Sequence, residues 1–150
     1  MYRKILVPVD GSETSTLGLQ EAIKLSKTGG ATLKAIHVVN DLTLVNTAYL
    51  PQSYYDQTIA ALRQGGKKVL ESAQATARES GTELQIELLD TVGGPAGQII
   101  EHAKTWGADL IVMGTHGRRG LRRLALGSDA EMVLRASPVP VLFVRGEAEG

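Results

Sequence analysis

The chain has 150 residues, of which 43% are hydrophobic and 21% charged, a balance that suits one globular domain with a buried core. Its acidic and basic residues cancel to a formal net charge of zero, which argues against a protein that works on a nucleic-acid backbone or an anionic membrane. It contains no cysteine, so disulfides, thiolate metal sites and cysteine nucleophiles are excluded. The opening residues lack the apolar stretch of a signal peptide, no run is long enough to cross a bilayer, and we therefore expect a cytoplasmic protein.

The first half of the sequence predicts two strands, two helices and a long loop. Residues 4–9 (KILVPV) are typical of a strand buried on both faces, and residues 10–12 (DGS) signal a turn and a helix start. Residues 32–39 (TLKAIHVV) predict the second strand, and residues 40–53 a long loop, since they lack a clear period. A second helix follows, which Gly65 and Gly66 should weaken or bend.

The second half continues this alternation. Residues 84–89 (LQIELL) predict the third strand, residues 93–95 (GGP) lead into the third helix, and residues 109–113 (DLIVM) predict the fourth strand. Residues 128–136 predict a short fourth helix, and the run from Val139 to Val144 (VPVLFV) the fifth strand.

Strands that alternate with helices indicate a single α/β domain over residues 1–150. We expect a doubly wound, five-stranded parallel sheet with helices on both faces. Ligands of such sheets bind at the carboxyl ends of strands, near the point where the strand order reverses. The loops that follow the first and the fourth strands are therefore the first places to look for a site.

The segment from Gly114 to Ser128 (GTHGRRGLRRLALGS) carries the strongest chemical signal. It follows the fourth strand directly and ends where the fourth helix begins. Glycines let a backbone approach a ligand closely, and the free N–H groups of a helix start favour a phosphate. The Walker pattern is absent, because the segment has no G-K-[ST]. Glycines also punctuate ordinary loops, so it is the spacing, G-x-x-G followed after nine residues by G-S, that favours a phosphate cradle.

With this segment, the sequence resembles the nucleotide-binding branch of the universal stress protein family. The resemblance covers nearly the whole chain: KILVPVDGSETS near the start, the loop after the second strand, IVMGTHGRRGLRRLALGSDAEMVL, and SPVPVLFVR near the end. It implies a Rossmann-like domain of the adenine nucleotide alpha hydrolase type that binds ATP, or else AMP or ADP, together with Mg. It also implies a homodimer.

By matched position, the resemblance implies a set of residues that surround the nucleotide from the adenine to the last phosphate: Pro8, Val9, Asp10, Val38, Met113, Gly114, His116, Gly117, Gly127, Ser128 and Ala130. The residues themselves support part of this set. A carboxylate at a strand end, such as that of Asp10, can accept hydrogen bonds from ribose hydroxyls, although Asp10 also fits an ordinary turn. Pro8 removes one donor from the strand ladder, which indicates a strand end or a bulge near a ligand.

Asp129 departs from the family pattern, because many nucleotide-binding relatives carry a small apolar residue after the serine. A carboxylate there suits a helix N-terminus, but it opposes a neighbouring triphosphate unless a divalent cation lies between them. We include Asp129 in the site and leave the number of bound phosphates open. Four arginines of the loop could reach phosphates or an acidic partner, or form a solvated turn: Arg118, Arg119, Arg122 and Arg123.

The three histidines show no spacing typical of metal ligands. His37 lies in a strand pattern, and we expect a structural role for it. We expect His102 to face outward on the third helix and to be solvated. His116 alone lies within the candidate site.

Catalysis is poorly supported, since the sequence has no G-x-S-x-G elbow and no Walker lysine. Slow ATP hydrolysis is the most that we expect, and we interpret the protein as a nucleotide-dependent binding or regulatory module in a stress response. One alternative is a nucleotide-free, dimeric interaction protein of the same family. Another is a receiver-type phosphoacceptor switch, with Asp90 as the acceptor and Asp10 as its acidic partner. Receivers, however, require paired acids after the first strand and a lysine after the fifth, where this chain has Arg145.

The fifth strand predicts the homodimer independently. The run from Val139 to Val144 is apolar on both faces, and its place in the sequence puts it at or near a sheet edge. A long apolar edge is a liability in a soluble monomer. Pairing with the same strand of a second copy about a two-fold axis would be antiparallel and would satisfy the open backbone groups.

Overall fold

The computed structural model describes residues 1–40, 51–91, 93–115 and 126–146, in which strands and helices alternate along the chain. These elements are β1 (Lys4–Pro8), α1 (Glu13–Gly29), β2 (Thr32–Asn40), α2 (Gln52–Glu79), β3 (Leu84–Thr91), α3 (Pro95–Trp106), β4 (Leu110–Gly114), α4 (Ser128–Ala136) and β5 (Val141–Val144). Within these segments, no helix combines the length and the apolar character that a bilayer crossing requires.

The sheet is parallel throughout and has the strand order β3-β2-β1-β4-β5, which confirms the predicted doubly wound α/β fold. The chain adds β2 and β3 on one side of β1, and then returns to add β4 and β5 on the other side. The order therefore reverses between β1 and β4, and the carboxyl ends of these two strands meet at the switch point.

Two apolar clusters cover the two faces of the sheet. Alternate side chains of the central strands enter opposite clusters, so that Ile5 and Val7 of β1 pack with α1 and α2, while Leu6 packs with α3 and α4. Because both faces of β1 and β4 are covered, these strands require the near-continuous apolar runs seen in the sequence.

The sequence predicts that Gly65 and Gly66 weaken or bend the second helix, and α2 nevertheless runs without a break from Gln52 to Glu79. Because β2 extends to Asn40 and α2 begins at Gln52, the loop between them is shorter than the expected residues 40–53. Gly66 is buried, and a Cβ at this position would lie 2.6 Å from Cδ2 of His37 and 2.7 Å from Cδ1 of Leu88. The absence of a side chain at Gly66 thus lets α2 lie close to β2 and β3, and it does not mark a helix break.

The predicted solvation of His102 is also wrong. Its side chain is only 12% exposed, and its Nδ1 lies 3.7 Å from Oε2 of Glu87. His102 follows Ile99 by three residues, so it lies on the same side of α3 as that buried residue. Its Nε2 is buried and has no hydrogen-bond partner among the described residues.

His102 belongs to a group of side chains beneath α3 that we call the α3 charge cluster, which consists of Lys4, Lys34, Glu87, His102 and Trp106. Lys34 donates a hydrogen bond of 2.8 Å from Nζ to Oε1 of Glu87, and this bond holds the pKa of the Glu87 carboxyl below its usual value. The ammonium groups of Lys4 and Lys34 lie 5.2 and 5.7 Å from the centre of the Trp106 ring. Burial and the neighbouring Lys34 charge lower the pKa of His102.

The last strand is shorter than the sequence predicts. β5 begins at Val141, because the preceding residue, Pro140, has no N–H to contribute to the ladder. The Pro140 carbonyl still accepts a hydrogen bond of 3.0 Å from the N–H of Ile111. β5 pairs with β4 alone and forms one edge of the sheet, as expected.

Candidate functional site

The end of β1 is fixed by its neighbour β2. Pro8 is the last residue of β1, in line with its interpretation as a strand end. The N–H of Val9 donates to the carbonyl of Ile36 over 2.8 Å, and the carbonyl of Val9 lies 2.8 Å from Nδ1 of His37. His37 therefore has the structural role that we expected. Since both backbone groups of Val9 are engaged and its side chain is buried, the first polar group that this strand offers at its end belongs to Asp10.

Asp10 is held by a tight turn into α1. Its Oδ1 accepts a hydrogen bond of 2.8 Å from the N–H of Ser12, and its own N–H donates to Oγ of Ser15 over 3.3 Å. Gly11 between them has a φ of 83°, a left-handed conformation that favours glycine. Asp10 thus serves the turn, and the same contacts fix its half-buried carboxylate at the edge of the sheet.

Gly114 is the last residue of β4 and packs against α1, the helix that follows the Asp10 turn. A Cβ at this position would lie 2.6 Å from both the backbone carbonyl carbon and Oγ1 of Thr14 in α1. The close approach that Gly114 permits is therefore that of α1 to β4, whereas the sequence suggested an approach to a ligand. This packing brings the end of β4 beside the Asp10 turn.

Thr115 is a site residue that the sequence reasoning missed. Its N–H donates to the carbonyl of Val144 over 3.1 Å, and its carbonyl accepts from the N–H of Gly127 over 2.8 Å. Thr115 thus ties the end of β4 to β5 and to the start of α4. Its Oγ1 is buried and has no partner within the described part of the chain. Only its position inside the glycine-rich segment could have drawn attention to it.

The start of α4 has no side-chain cap among the described residues. Gly127 precedes the helix and has no side chain to cap it, and the first N–H bonded within the helix is that of Glu131, which donates to the Gly127 carbonyl over 2.9 Å. The N–H groups of the three preceding residues have no partner inside the helix, as in any helix start. Ser128 is exposed there, whereas the side chain of Ala130 is buried, which leaves only its backbone to face a ligand.

Asp129 connects three elements at this point. It lies in the first turn of α4, and its carboxyl group is near the backbone N–H of Ala96, in the first turn of α3. Burial raises the pKa of the Asp129 carboxyl, and the negative charge of Asp10 raises it further. The Asp10 turn, the start of α3 and the start of α4 therefore converge.

The predicted site residues that the structure describes lie at the carboxyl ends of β1, β2 and β4 and at the start of α4. Val38 and Met113 contribute apolar side chains to the cluster under α3 and α4. Val9 packs with the opposite cluster. His116, Gly117 and the four loop arginines lie outside the described residues.

A doubly wound domain with a polar turn and an uncapped helix start at its switch point is of the α/β class whose members typically bind small ligands at that edge. Comparison with known proteins narrows this class. The chain belongs to the universal stress protein family, whose model matches residues 1–145, and this confirms the resemblance seen in the sequence.

Individual relatives match along nearly their whole length. The universal stress protein YxiE of Bacillus subtilis is 37% identical over 150 residues, which cover 97% of this chain and 100% of that protein. The solved structure of the Methanocaldococcus jannaschii protein MJ0577 is 26% identical, covers 99% of each chain and superposes with a TM-score of 0.86. A universal stress protein crystallised in complex with cAMP is 25% identical, with 97% of this chain and 98% of that one covered and a TM-score of 0.65.

Proposed function

We propose that this protein binds an adenine nucleotide at the carboxyl ends of β1 and β4 and acts as a nucleotide-dependent regulatory module in a stress response. The observation that carries the proposal is that the Asp10 turn follows β1, while Thr115, at the end of the adjacent β4, bonds to Gly127 before the uncapped start of α4. The relative in complex with cAMP supports the same ligand class.

The groups at this edge match the parts of an adenine nucleotide. The Asp10 carboxylate would accept hydrogen bonds from ribose hydroxyls, while the apolar side chains of Val38 and Met113 would lie toward the adenine. The free N–H groups at the start of α4 would bind a phosphate, with the Ser128 hydroxyl beside them. The buried Oγ1 of Thr115 is a further donor that a ligand oxygen would satisfy.

The family resemblance favours ATP with Mg, with ADP and AMP as the other candidates. Denaturing extraction of the purified protein, followed by mass spectrometry of any released nucleotide, identifies the ligand that the protein carries. Calorimetric titration with ATP, ADP and AMP then gives the affinities. A purified protein that carries no nucleotide and ignores all three at millimolar concentration, with and without Mg, would show the proposal to be wrong.

Asp10→Asn tests the site itself. The amide oxygen can still accept the N–H of Ser12, so the turn is kept while the charge is lost. We expect nucleotide affinity to fall about tenfold, because a hydrogen bond to a charged group contributes about 1.5–3 kcal/mol. The matched control is Asp90→Asn, which removes a carboxylate near the end of β3 that binds Arg63 over 3.0 Å. It should leave the affinity within about twofold, since β2 separates β3 from β1.

The same pairing of Asp90 with Arg63 argues against the receiver alternative. Asp90 lies on an edge strand, with β2 between it and the Asp10 turn, so the two acids do not form the pair that a receiver requires. Exposure to a small phosphodonor should therefore leave the intact mass of the protein unchanged. The nucleotide-free alternative predicts a null result in the titrations above.

We also propose that β5 forms a homodimer with the same strand of a second copy. β5 is an edge strand, and Leu142 is 37% exposed on it, whereas Val141 and Phe143 already pack against the cluster under α3 and α4. Leu142→Glu should shift the protein toward monomer, or toward aggregation. Leu62→Glu is the control, because Leu62 on α2 has the same 37% exposure. Light scattering after size exclusion decides the question: a wild-type mass near 16.0 kDa at micromolar concentration excludes a stable dimer.

A further inference from the structure

Asp129 lies where the positive ends of two helices meet. It is in the first turn of α4, and its carboxyl group is near the backbone N–H of Ala96 in the first turn of α3. The two helices are in contact, and Ala96 and Ala130, which lie in their first turns, belong to the same buried cluster. Each helix N-terminus carries roughly half a positive charge, and a carboxylate placed there is favourable. The protein thus supplies one anion of its own at the place where we propose that phosphates bind.

The other acidic residue of this helix turn is placed differently. Glu131 is exposed, and its Oε1 accepts a hydrogen bond of 2.8 Å from Arg135 in the next turn. Asp129 is half-buried and points across to α3, near Asp10. Charges that are partly removed from water are screened less than charges at the surface. Of the two carboxylates, that of Asp129 therefore exerts the stronger repulsion on a bound anion.

We propose that Asp129 determines how many phosphates the site accepts, and that it makes the protein prefer adenosine or a monophosphate to ATP. This inference rests on the proposed adenine-nucleotide site and specifies which ligand that site prefers. Each added phosphate brings further negative charge toward a helix start that already holds a carboxylate. A nucleoside carries no phosphate charge and a cyclic monophosphate carries little, so the Asp129 carboxylate repels these ligands least.

Asp129→Asn tests the inference with little change of shape, because asparagine has nearly the size of aspartate and keeps an oxygen near the Ala96 N–H. Affinities for adenosine, AMP and ATP are measured by calorimetry, without Mg and with it. Without Mg, we expect the variant to bind ATP about tenfold more tightly than the wild type, which corresponds to about 1.4 kcal/mol. The gain should be smaller for AMP and within about twofold for adenosine. Magnesium should reduce the gain for ATP, because the cation offsets the phosphate charge.

Glu131→Gln is the matched control, since it removes the same charge from the same helix turn. It should change the affinity for ATP by less than about twofold, because Glu131 is exposed and paired with Arg135. Asp129→Ser provides a second variant that also lacks the charge and keeps an oxygen at the helix start. Thermal unfolding of each variant verifies that it is folded before titration.

The outcomes separate the two proposals. If the wild type binds adenosine or AMP and Asp129→Asn shifts adenosine and ATP by the same factor, the inference about phosphate number is wrong and the site proposal stands. The inference is equally overturned if Glu131→Gln produces the same gain as Asp129→Asn. If neither wild type nor variants bind any of the three ligands, the proposed function itself fails.

Discussion

Two groups of charged side chains meet the same face of the sheet, and they are arranged in opposite ways. In the α3 charge cluster, Lys34 and Glu87 carry opposite charges and are hydrogen-bonded, so the pKa of Glu87 is lowered. At the carboxyl edge, Asp10 and Asp129 carry the same charge, and the pKa of Asp129 is raised by burial and by that neighbour. Opposite charges that pair as Lys34 and Glu87 do favour the folded state. Like charges close together at a strand edge, such as Asp10 and Asp129, are typical of a functional site.

One helix serves both regions. The N-terminal turn of α3 places Ala96 near Asp129, while its C-terminal half brings His102 near Glu87 and Trp106 near Lys34. A substitution at one place in the protein can therefore be compared with a matched substitution at another. In each comparison the stability of the folded protein is measured, and the largest expected effect comes first.

Gly114→Ala should have the largest effect, because the added Cβ would meet the backbone of α1 at 2.6 Å and a backbone cannot yield as a side chain can. We expect a loss of about 2–3 kcal/mol in the free energy of unfolding, measured by urea titration. Gly97→Ala on α3 is the control, since no atom lies within 4 Å of its Cβ position. It should be neutral or stabilise by up to about 1 kcal/mol. Equal effects of the two would mean that β4 and α1 are not packed as described.

Gly66→Ala and its neighbour Gly65→Ala should act in opposite directions. At Gly66 the new Cβ meets two side chains, His37 and Leu88, which can shift in part, so we expect a loss of about 1–2 kcal/mol. At Gly65 nothing lies within 4 Å, and alanine should stabilise α2 by about 0.5–1 kcal/mol. Because His37 contacts the Val9 carbonyl, Gly66→Ala should also weaken nucleotide binding, and Gly65→Ala should not.

Glu87→Gln tests the α3 charge cluster. It removes the carboxylate that pairs with Lys34, whose side chain is only 11% exposed. We expect a loss of about 1–2 kcal/mol, less than for a fully buried pair because Glu87 itself is partly exposed. Glu131→Gln breaks the exposed pair with Arg135 and should cost less than about 0.5 kcal/mol. A neutral result for Glu87→Gln would mean that the cluster does not contribute to stability.

The contributions of His102 and Asp129 to folding stability should change with pH in opposite directions. The pKa of His102 is lowered from 6.5, so the unfolded chain takes up its proton first and stability falls as the pH drops below about 6.5. The pKa of Asp129 is raised from 3.8, so its protonation at lower pH favours the folded state. Thermal unfolding from pH 7.5 to 5 (roughly the range in which histidine titrates) should show a smaller decline for His102→Gln than for wild type. Parallel curves would exclude His102 as the source.

The sequence predicted the fold well because the signals of this fold are local. Apolar strand runs, a serine that caps α1 and the glycines that end helices are read within a few residues, and the β1 and β4 loops follow from the alternation of elements. The tertiary roles of Gly66, Gly114 and His102 could not be read in this way. Each depends on a side chain or a backbone from a distant element, and glycine or histidine alone does not indicate which one.

The sequence names Asp10, Gly127 and Ser128 as candidate site residues from spacing and resemblance, and Asp129 as a departure from the family pattern. Their surroundings were not predictable in the same way. That Asp129 lies near the Ala96 N–H could not be foreseen, because it depends on how α3 and α4 pack together. Thr115 was missed because a threonine in a loop is ordinary until its hydroxyl is found buried.

The strand order also governs when, during synthesis, the proposed binding edge can form. Three strands, β1, β2 and β3, can pair once residue 91 has left the ribosome, while the other side of β1 waits for β4. The bond from the Lys4 N–H to Asp109, over 3.0 Å, joins positions 105 residues apart. Contacts of such long range form late, and domains fold from the N-terminus as they are made. A nascent chain therefore carries the Asp10 turn long before it carries α4. A nucleotide that binds both would stabilise only finished domains, by a free energy that grows with the logarithm of its concentration.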